Sequence, residues 1–352
     1  MAMLVMLLLP QTIDAAKAEP TKEKIIFIPH DGRPISSKQT ADVVQQAGYE
    51  VIVPPQELLG SRDDWGHPDE LWAWARENMA QPGVKAAVIS SDAMIYGSLV
   101  GSRKHSYTRD EVLARAARFD ELQRAHPKTP LYVFGSIMRT PRSGEASGHE
   151  EPEYYRRYGA DIFRYTVLRD KEEVEGLSRR ERKEYAFLGR LIPKEALADW
   201  MGRREKNYAV NEYMIDLMRK RGTFRYLALG RDDNAPFSQT HLESRHLTET
   251  GADLGKTRFQ TMAGIDEIAL LMLTRAVNEQ RREVPFVYAR YNWGRGQDTV
   301  PAYSDEKIGT SISDAVTAAG GKEIPCEEFR ALARAVRVVR GVVCLDEDVL
   351  CG

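Results

Sequence analysis

The chain has 352 residues, which at roughly 150 residues per domain points to two compact units or one large α/β domain carrying an insertion. Hydrophobic residues make up 42% and charged residues 29%, the balance of a globular chain with a core rather than of a disordered or fibrous one. With 50 Lys+Arg against 52 Asp+Glu, a formal net charge of -2, no cationic excess is available to bind a nucleic acid or an anionic membrane surface, and neither partner is expected.

Residues 1–18 read as a signal peptide. Leu4 to Leu9 are apolar, and Ala16-Lys17-Ala18 places small residues three and one before Glu19, the spacing that signal peptidase requires. An extracytoplasmic protein, periplasmic or secreted, is the expectation. The longest apolar run, Met1 to Pro10, is far short of the roughly 20 residues of a membrane span.

From residue 19 to 140, short β-branched runs alternate with helical patterns. Strands are expected at Lys24 to Ile28, Tyr49 to Val53, Ala86 to Ser90 and Leu131 to Phe134, and helices at Ser37 to Ala47, Asp69 to Met79 and Arg109 to Ala125. Residues 141–222 hold no convincing strand but dense charge, as in Arg179-Arg180-Glu181-Arg182-Lys183-Glu184, and read as a helical insertion whose charges are solvated faces with i,i+4 pairs. From 223 to 325 the alternation resumes. Strands are expected at Tyr226 to Leu229, Arg258 to Met262, Pro285 to Tyr288 and Lys322 to Ile324, with helices at Asp266 to Asn278 and Asp305 to Ala319. The fold class is α/β, a mainly parallel sheet, barrel-like or doubly wound, with crossover helices and a helical insertion. The last segment, 326–352, is atypical, because it contains all three cysteines, Cys326, Cys344 and Cys351. It reads either as a disulfide-tied tail with one thiol left over or as a tail foreign to the fold, and no chemistry is assigned to it.

Nearly every expected strand is followed by polar residues: His30-Asp31-Gly32-Arg33-Pro34, Ser90-Ser91-Asp92, Arg139-Thr140-Pro141-Arg142, Arg231-Asp232-Asp233-Asn234 and Arg290-Tyr291-Asn292. Strand carboxyl ends lie at one edge of a parallel sheet, so these distant clusters are expected to converge on one site. Asp232 and Asp233 at a strand end are the candidate catalytic pair. Two close carboxylates resist double ionisation, so one keeps its proton and serves as an acid. Glycoside hydrolysis uses such a pair. Asp266, with Glu267, opens an apolar helix at Ile268 and is expected as its N-cap or as a substrate contact.

No Gly-x-Gly-x-x-Gly follows the first strand, and no Walker loop, His-Glu-x-x-His, Cys-x-x-Cys or Gly-x-Ser-x-Gly is present. Dinucleotide, nucleotide triphosphate and helical-zinc chemistry are disfavoured accordingly, and no cofactor is assigned. An oxygen-rich divalent-metal site from Asp31, Asp92, Asp232 and Asp233 with His30 needs no local motif and stays open.

The segments Ile26-Phe27-Ile28-Pro29-His30-Asp31-Gly32-Arg33-Pro34, Ser90-Ser91-Asp92-Ala93-Met94-Ile95-Tyr96-Gly97, Gly230-Arg231-Asp232-Asp233-Asn234-Ala235-Pro236 and Gly264-Ile265-Asp266-Glu267, in this order, resemble the bacterial "domain of unknown function 4127" family over about residues 23 to 325. That family's first motif usually reads Leu-Asp-Asp-Arg-Pro, so one acidic group is missing here. Its members are usually longer, and the chain reads as a shortened member with a tail that departs from the pattern. The resemblance implies no activity.

The residues themselves point to an exported carbohydrate-active hydrolase acting on a carbohydrate or cell-envelope substrate. Asp233 is expected as the acid and Asp232 as its partner, resembling the Asp-Asp of hexosaminidases that use the substrate's acetamido group. Asp31 and Asp92 would hold sugar hydroxyls, and Arg33 and Arg139 an acidic or polar substituent. Asn234, Arg290 and Asn292 would add polar contacts, and Tyr291 with Trp293 a stacking face for a pyranose ring. The alternatives are a divalent-metal hydrolase of phosphate or amide bonds and a non-catalytic glycan-binding or envelope-binding protein.

Overall fold

The computed structural model describes residues 22–61, 63–144, 149–232, 234–292, 294–302 and 304–340. The expected signal peptide, Cys344 and Cys351 lie outside the described residues, as do Asp233 and Trp293.

Six parallel strands form the central sheet: β1 Lys24–Ile28, β2 Glu50–Ile52, β3 Val84–Ser90, β4 Leu131–Ile137, β5 Tyr226–Arg231 and β6 Phe259–Ala263, in the order β2-β1-β3-β4-β5-β6. The sheet is open, so of the two expected forms the doubly wound one is found and the barrel is not. The helices are α1 Lys38–Gln45, α2 Pro68–Met79, α3 Ser91–Tyr96, α4 Leu99–Lys104, α5 Arg109–Ala125, α6 Tyr155–Val174, α7 Arg179–Leu191, α8 Lys194–Arg221, α9 Gln239–Thr250, α10 Ile268–Arg281, α11 Ile308–Ala318 and α12 Cys326–Arg340.

Strand alternation assigns the strand side chains to two cores, as the two-residue period requires. Ile26, Ile28, Ala87, Ile89, Leu131, Val133, Leu227 and Leu229 face a core closed by α2, α3, α5, the second half of α8 and α9. Ile25, Phe27, Ala86, Val88, Tyr132, Phe134, Tyr226 and Ala228 face the opposite core, under α1, α10 and the end of α11. Both faces are covered, which is why these strands read as continuous apolar runs.

The insertion has its own small core, in which Tyr155, Ile162, Leu168, Leu188 and Trp200 pack together. It comprises α6, α7 and the first half of α8. The second half of α8, through Val210, Met214, Ile215 and Met218, belongs to the main core and serves as the crossover between β4 and β5. The charged run at 179–184 is held differently from expectation. Ser178 and Glu181 form a capping box at the start of α7, while Glu184 and Glu181 pair with Arg164 and Lys171 of α6 at 2.7 and 2.6 Å. The pairs join two helices rather than successive turns of one.

One expectation at the carboxyl-terminal side changes. β7 Phe286–Val287 leaves the central sheet and pairs in parallel with β8 Lys322–Glu323. Cys326, at the start of α12, is disulfide-bonded. No described helix is long and apolar enough to cross a membrane.

Candidate functional site

The sheet order reverses at β1, because β2 lies on one side of it and β3 on the other. In open α/β sheets ligands bind outside the carboxyl ends of the strands at such a switch point. The register sets Ile28 of β1 level with Ile89 of β3, and Ile137 of β4 level with Arg231 of β5, so the polar residues that follow emerge along one edge.

A cavity of about 240 Å³ opens there, lined by Asp31 and Arg33 after β1, Leu99, Val100 and Arg103 of α4, Arg139 and Glu150 after β4, Asp232 after β5, and Ile265 and Asp266 after β6. Four of the five clusters named from the sequence thus reach this edge, and three of them line the cavity. Arg33 is folded back on Asp31, its backbone N–H and Nε donating to Oδ1 at 3.1 and 3.0 Å and Nε to Oδ2 at 2.9 Å, with Asp266 at 3.5 Å from Nη2. Arg103 and Arg139 are 3% and 7% exposed, so their charges have to be met by protein groups. Arg103 donates to Asp232 at 3.0 Å and to Glu150 at 3.3 Å. Arg139 donates to Glu151 at 2.7 Å and to Glu150 at 2.9 Å, and its Nη1 lies 3.9 Å from Asp232.

Glu151 is fully buried beneath Arg139. Burial pushes its carboxyl up, against the pull of Arg103, Arg139 and Arg204. For Arg139, burial disfavours the charge, but Glu151, Asp232 and Glu150 together raise its pKa above the ordinary arginine value. Arg204 of α8, itself fully buried, fixes this loop. It grips Glu243 with Nε and Nη2, both at 2.8 Å, and donates to the carbonyls of Arg139 and Met138 at 2.9 and 2.6 Å. It is a positioning residue, acting on the site through the backbone of Arg139.

Glu267 follows the cavity-lining Asp266 in the chain but does not itself line the cavity. Although Glu267 is exposed as a residue, its carboxyl folds back against Gly264; desolvation there raises it above the usual range, its own amide N–H pulls the other way, and the repulsion of Asp266 and Asp232 adds to the rise. The backbone that permits this is specific. Gly264 has φ +92°, and a Cβ there would run into the Glu267 carboxylate. The adjacent Gly230 lets β5 approach, since a Cβ on it would lie 2.5 Å from the Gly264 carbonyl oxygen. Glu267, not Asp266, is the N-cap of α10, and it makes no side-chain cap hydrogen bond, so the expected Asp266 cap is replaced by an exposed Asp266 on the cavity rim.

The remaining expected residues are not gathered here. Asp92 is turned into the interior, accepting from Ser136 at 2.9 Å and lying 3.1 Å from His30 Nδ1, which is also 3.0 Å from the Ser90 hydroxyl. These four residues tie together the ends of β1, β3 and β4. Asn234 is buried, and its carboxamide oxygen accepts from the Ala235 amide and the Ser238 hydroxyl, both at 2.9 Å. Arg290, Tyr291 and Asn292 line a separate cavity of about 740 Å³ with Glu323 and Ile324, because β7 has left the central sheet and carries its polar cluster with it. Among the described residues, no group of three or more His, Cys, Asp or Glu side chains is placed to hold a metal ion, so Asp31, Asp92, Asp232 and His30 do not form the cluster that the metal alternative needed.

Arg103, Glu150, Glu151 and Arg204 escaped the sequence reading. Arg103 stands on a helix with no distinctive pattern, and Arg204 lies amid ordinary helical charge. Only the Glu150-Glu151 pair, soon after Arg139, offered a local signal.

A model of the family described as "Protein of unknown function (DUF4127)" matches residues 25–337, reaching beyond Pro325 into the segment expected to be foreign to the pattern. No curated protein and no solved structure matches the chain.

Proposed function

From the premise that this chain belongs to the DUF4127 family, whose name carries no activity, we propose that it is a carbohydrate-active hydrolase working at the strand-end cavity. The observation that carries the reading is a pair of unlike carboxyl groups. The Glu267 carboxyl folds back against Gly264 at an otherwise exposed position, and desolvation there with the nearby Asp266 and Asp232 shifts it toward its protonated form, while Asp232 stands against the Arg103 guanidinium at 3.0 Å. Groups whose environments differ in this way divide into acid and anion.

Glu267 donates its proton to the leaving oxygen as the glycosidic C–O bond breaks, and Asp232 faces the positive charge that develops at the anomeric carbon. Water then adds to that carbon and releases a proton, which restores Glu267. The acid therefore moves from Asp233, which lies outside the described residues, to Glu267, with Asp232 keeping its place. Arg33, Asp31 and Asp266 supply polar contacts at the rim. An extracytoplasmic location belongs to the same proposal and rests on the apolar run and the Ala16-Lys17-Ala18 spacing.

The test is turnover of a panel of aryl glycosides, N-acetylhexosaminides included, by the full chain and by Glu267→Gln. Loss of about a hundredfold or more in kcat, within the range of general acid catalysis, with an unchanged circular dichroism spectrum, is the expected result. Equal turnover by the variant would remove Glu267 from the chemistry. Tight glycan binding with no turnover of any substrate would replace the hydrolase by a binding protein.

A further inference from the structure

We infer that Glu150 occupies the seat of a substrate carboxylate, so that the cavity takes an acidic sugar of the uronate type in place of Glu150; the inference rests on the hydrolase reading above. Each arginine at the site has a carboxylate partner other than Glu150, and Asp266 adds a further carboxylate 3.5 Å from Arg33. Arg33 has Asp31 at 2.9 Å, Arg103 has Asp232 at 3.0 Å, and Arg139 has Glu151 at 2.7 Å. Glu150 is a supernumerary carboxylate, and one of its oxygens, Oε2, bridges the two buried guanidiniums at 3.3 and 2.9 Å.

Its surroundings differ from those of its partners. The Glu150 side chain is 32% exposed, whereas Arg103 and Arg139 are nearly closed off. The turn that carries it is anchored on one side by the buried Glu151, while its contacts at His149 face solvent. His149 lies 2.9 Å from Asp63 with both side chains more than half exposed, and Lys104 donates to the His149 carbonyl at 3.1 Å. Exposed pairs of this kind contribute little. The buried arginines, in contrast, are held in place whether or not Glu150 is present, by Asp232, by Glu151 and by the grip of Arg204 on the Arg139 carbonyl. Two pre-positioned guanidiniums at the wall of a 240 Å³ cavity form a fork suited to a planar carboxylate, and Glu150 already shows a carboxylate seated there. A ligand carboxylate competes with this internal one, so the inference predicts that removing the Glu150 charge strengthens binding rather than weakening it.

The experiment is calorimetric titration of the full chain, of Glu150→Gln and of Arg103→Lys with D-glucuronate, D-glucose and D-glucose 6-phosphate. The Glu150 side chain is 32% exposed on a turn, so its substitution leaves the core intact, and Arg103→Lys keeps a positive charge beside Asp232. Expected are D-glucuronate binding about tenfold tighter in Glu150→Gln, about tenfold weaker in Arg103→Lys, and no change for D-glucose. Unchanged or weaker D-glucuronate binding in Glu150→Gln overturns the inference, as does the absence of D-glucuronate binding by all three proteins. A larger gain for D-glucose 6-phosphate overturns the carboxylate assignment in favour of a phosphate seat. Turnover of neutral aryl glycosides with no Glu150 effect overturns this inference alone. A Glu150 effect on D-glucuronate without turnover of any glycoside overturns the hydrolase and keeps the carboxylate seat.

Discussion

His105 lies between two aromatic rings, with Tyr96 and Tyr107 stacked on it at 4.8 and 5.6 Å. Its Nε2 is 2.8 Å from the Asn207 carboxamide oxygen, and its Nδ1 is buried without a partner, so a second ring proton would have no acceptor. Burial pushes its pKa down from 6.5 to about 4; the bond to Asn207 opposes this, and Lys206, Arg203 and Arg115 add to it. The folded state therefore binds this proton less readily than the unfolded chain does. The stability that follows is fully present above about pH 6.5 and declines as the pH falls toward about 4, by at most about 1.4 kcal/mol per pH unit for this single group. Urea unfolding between those pH values measures the slope, and His105→Gln is expected to reduce it. Glu267 gives the opposite dependence in activity. In the role proposed for it the protonated form is the acid, so turnover of glycosides is expected to fall as pH rises through its raised pKa, and a rising limb there would exclude that role.

At the scale of elements, α8 joins two jobs that the sequence separates poorly. Its first half closes the insertion's core through Trp200, its second half closes the main core, and Arg204 between them reaches the loop after β4. Trp200 also lies under the Arg204 guanidinium, 4.7 Å from the charged carbon. Arg204→Met would leave Glu243 without its cation and the Arg139 carbonyl without the Arg204 donor, while the Met138 carbonyl keeps the Thr240 hydroxyl at 2.8 Å. Breaking a buried pair from one side costs about 3–5 kcal/mol, and thermal or denaturant unfolding checks that figure. Arg204→Lys is not a rescue, because an ammonium cannot reproduce the two parallel contacts. The short helices α3 and α4 went unread from sequence for a related reason. α3 and α4 have six residues each, too few for a helical period to register, and their polar residues looked like loop.

At the scale of the molecule, the two hydrophobic clusters on either side of the sheet set stability, and the site is the edge at which both stop. Ile89 and Phe134 are fully buried on opposite faces, next to the residues that turn toward the cavity. Ile89→Ala is expected to lower the unfolding free energy by about 2–5 kcal/mol through lost transfer energy and the cavity left behind. Equilibrium denaturation provides the measurement, and an effect below about 1 kcal/mol would mean that this face is less closely packed than described.

Strand positions, the parallel α/β class and the helical nature of residues 155–221 were legible in the chain, because burial on both faces writes unbroken apolar runs and crossovers write helical periods. So was the tendency of strand ends to carry polar residues, since strand direction alone places them at one edge. Which of those residues meet was decided by tertiary structure. The departure of β7 from the sheet removed Arg290, Tyr291 and Asn292 from the edge, α3 carried Asp92 inward onto His30 and Ser136, and α4 and the turn at 149–151 brought Arg103 and Glu150 in. Convergence depends on strand order and on the paths of connecting segments, and these follow from long-range packing that no local spacing encodes.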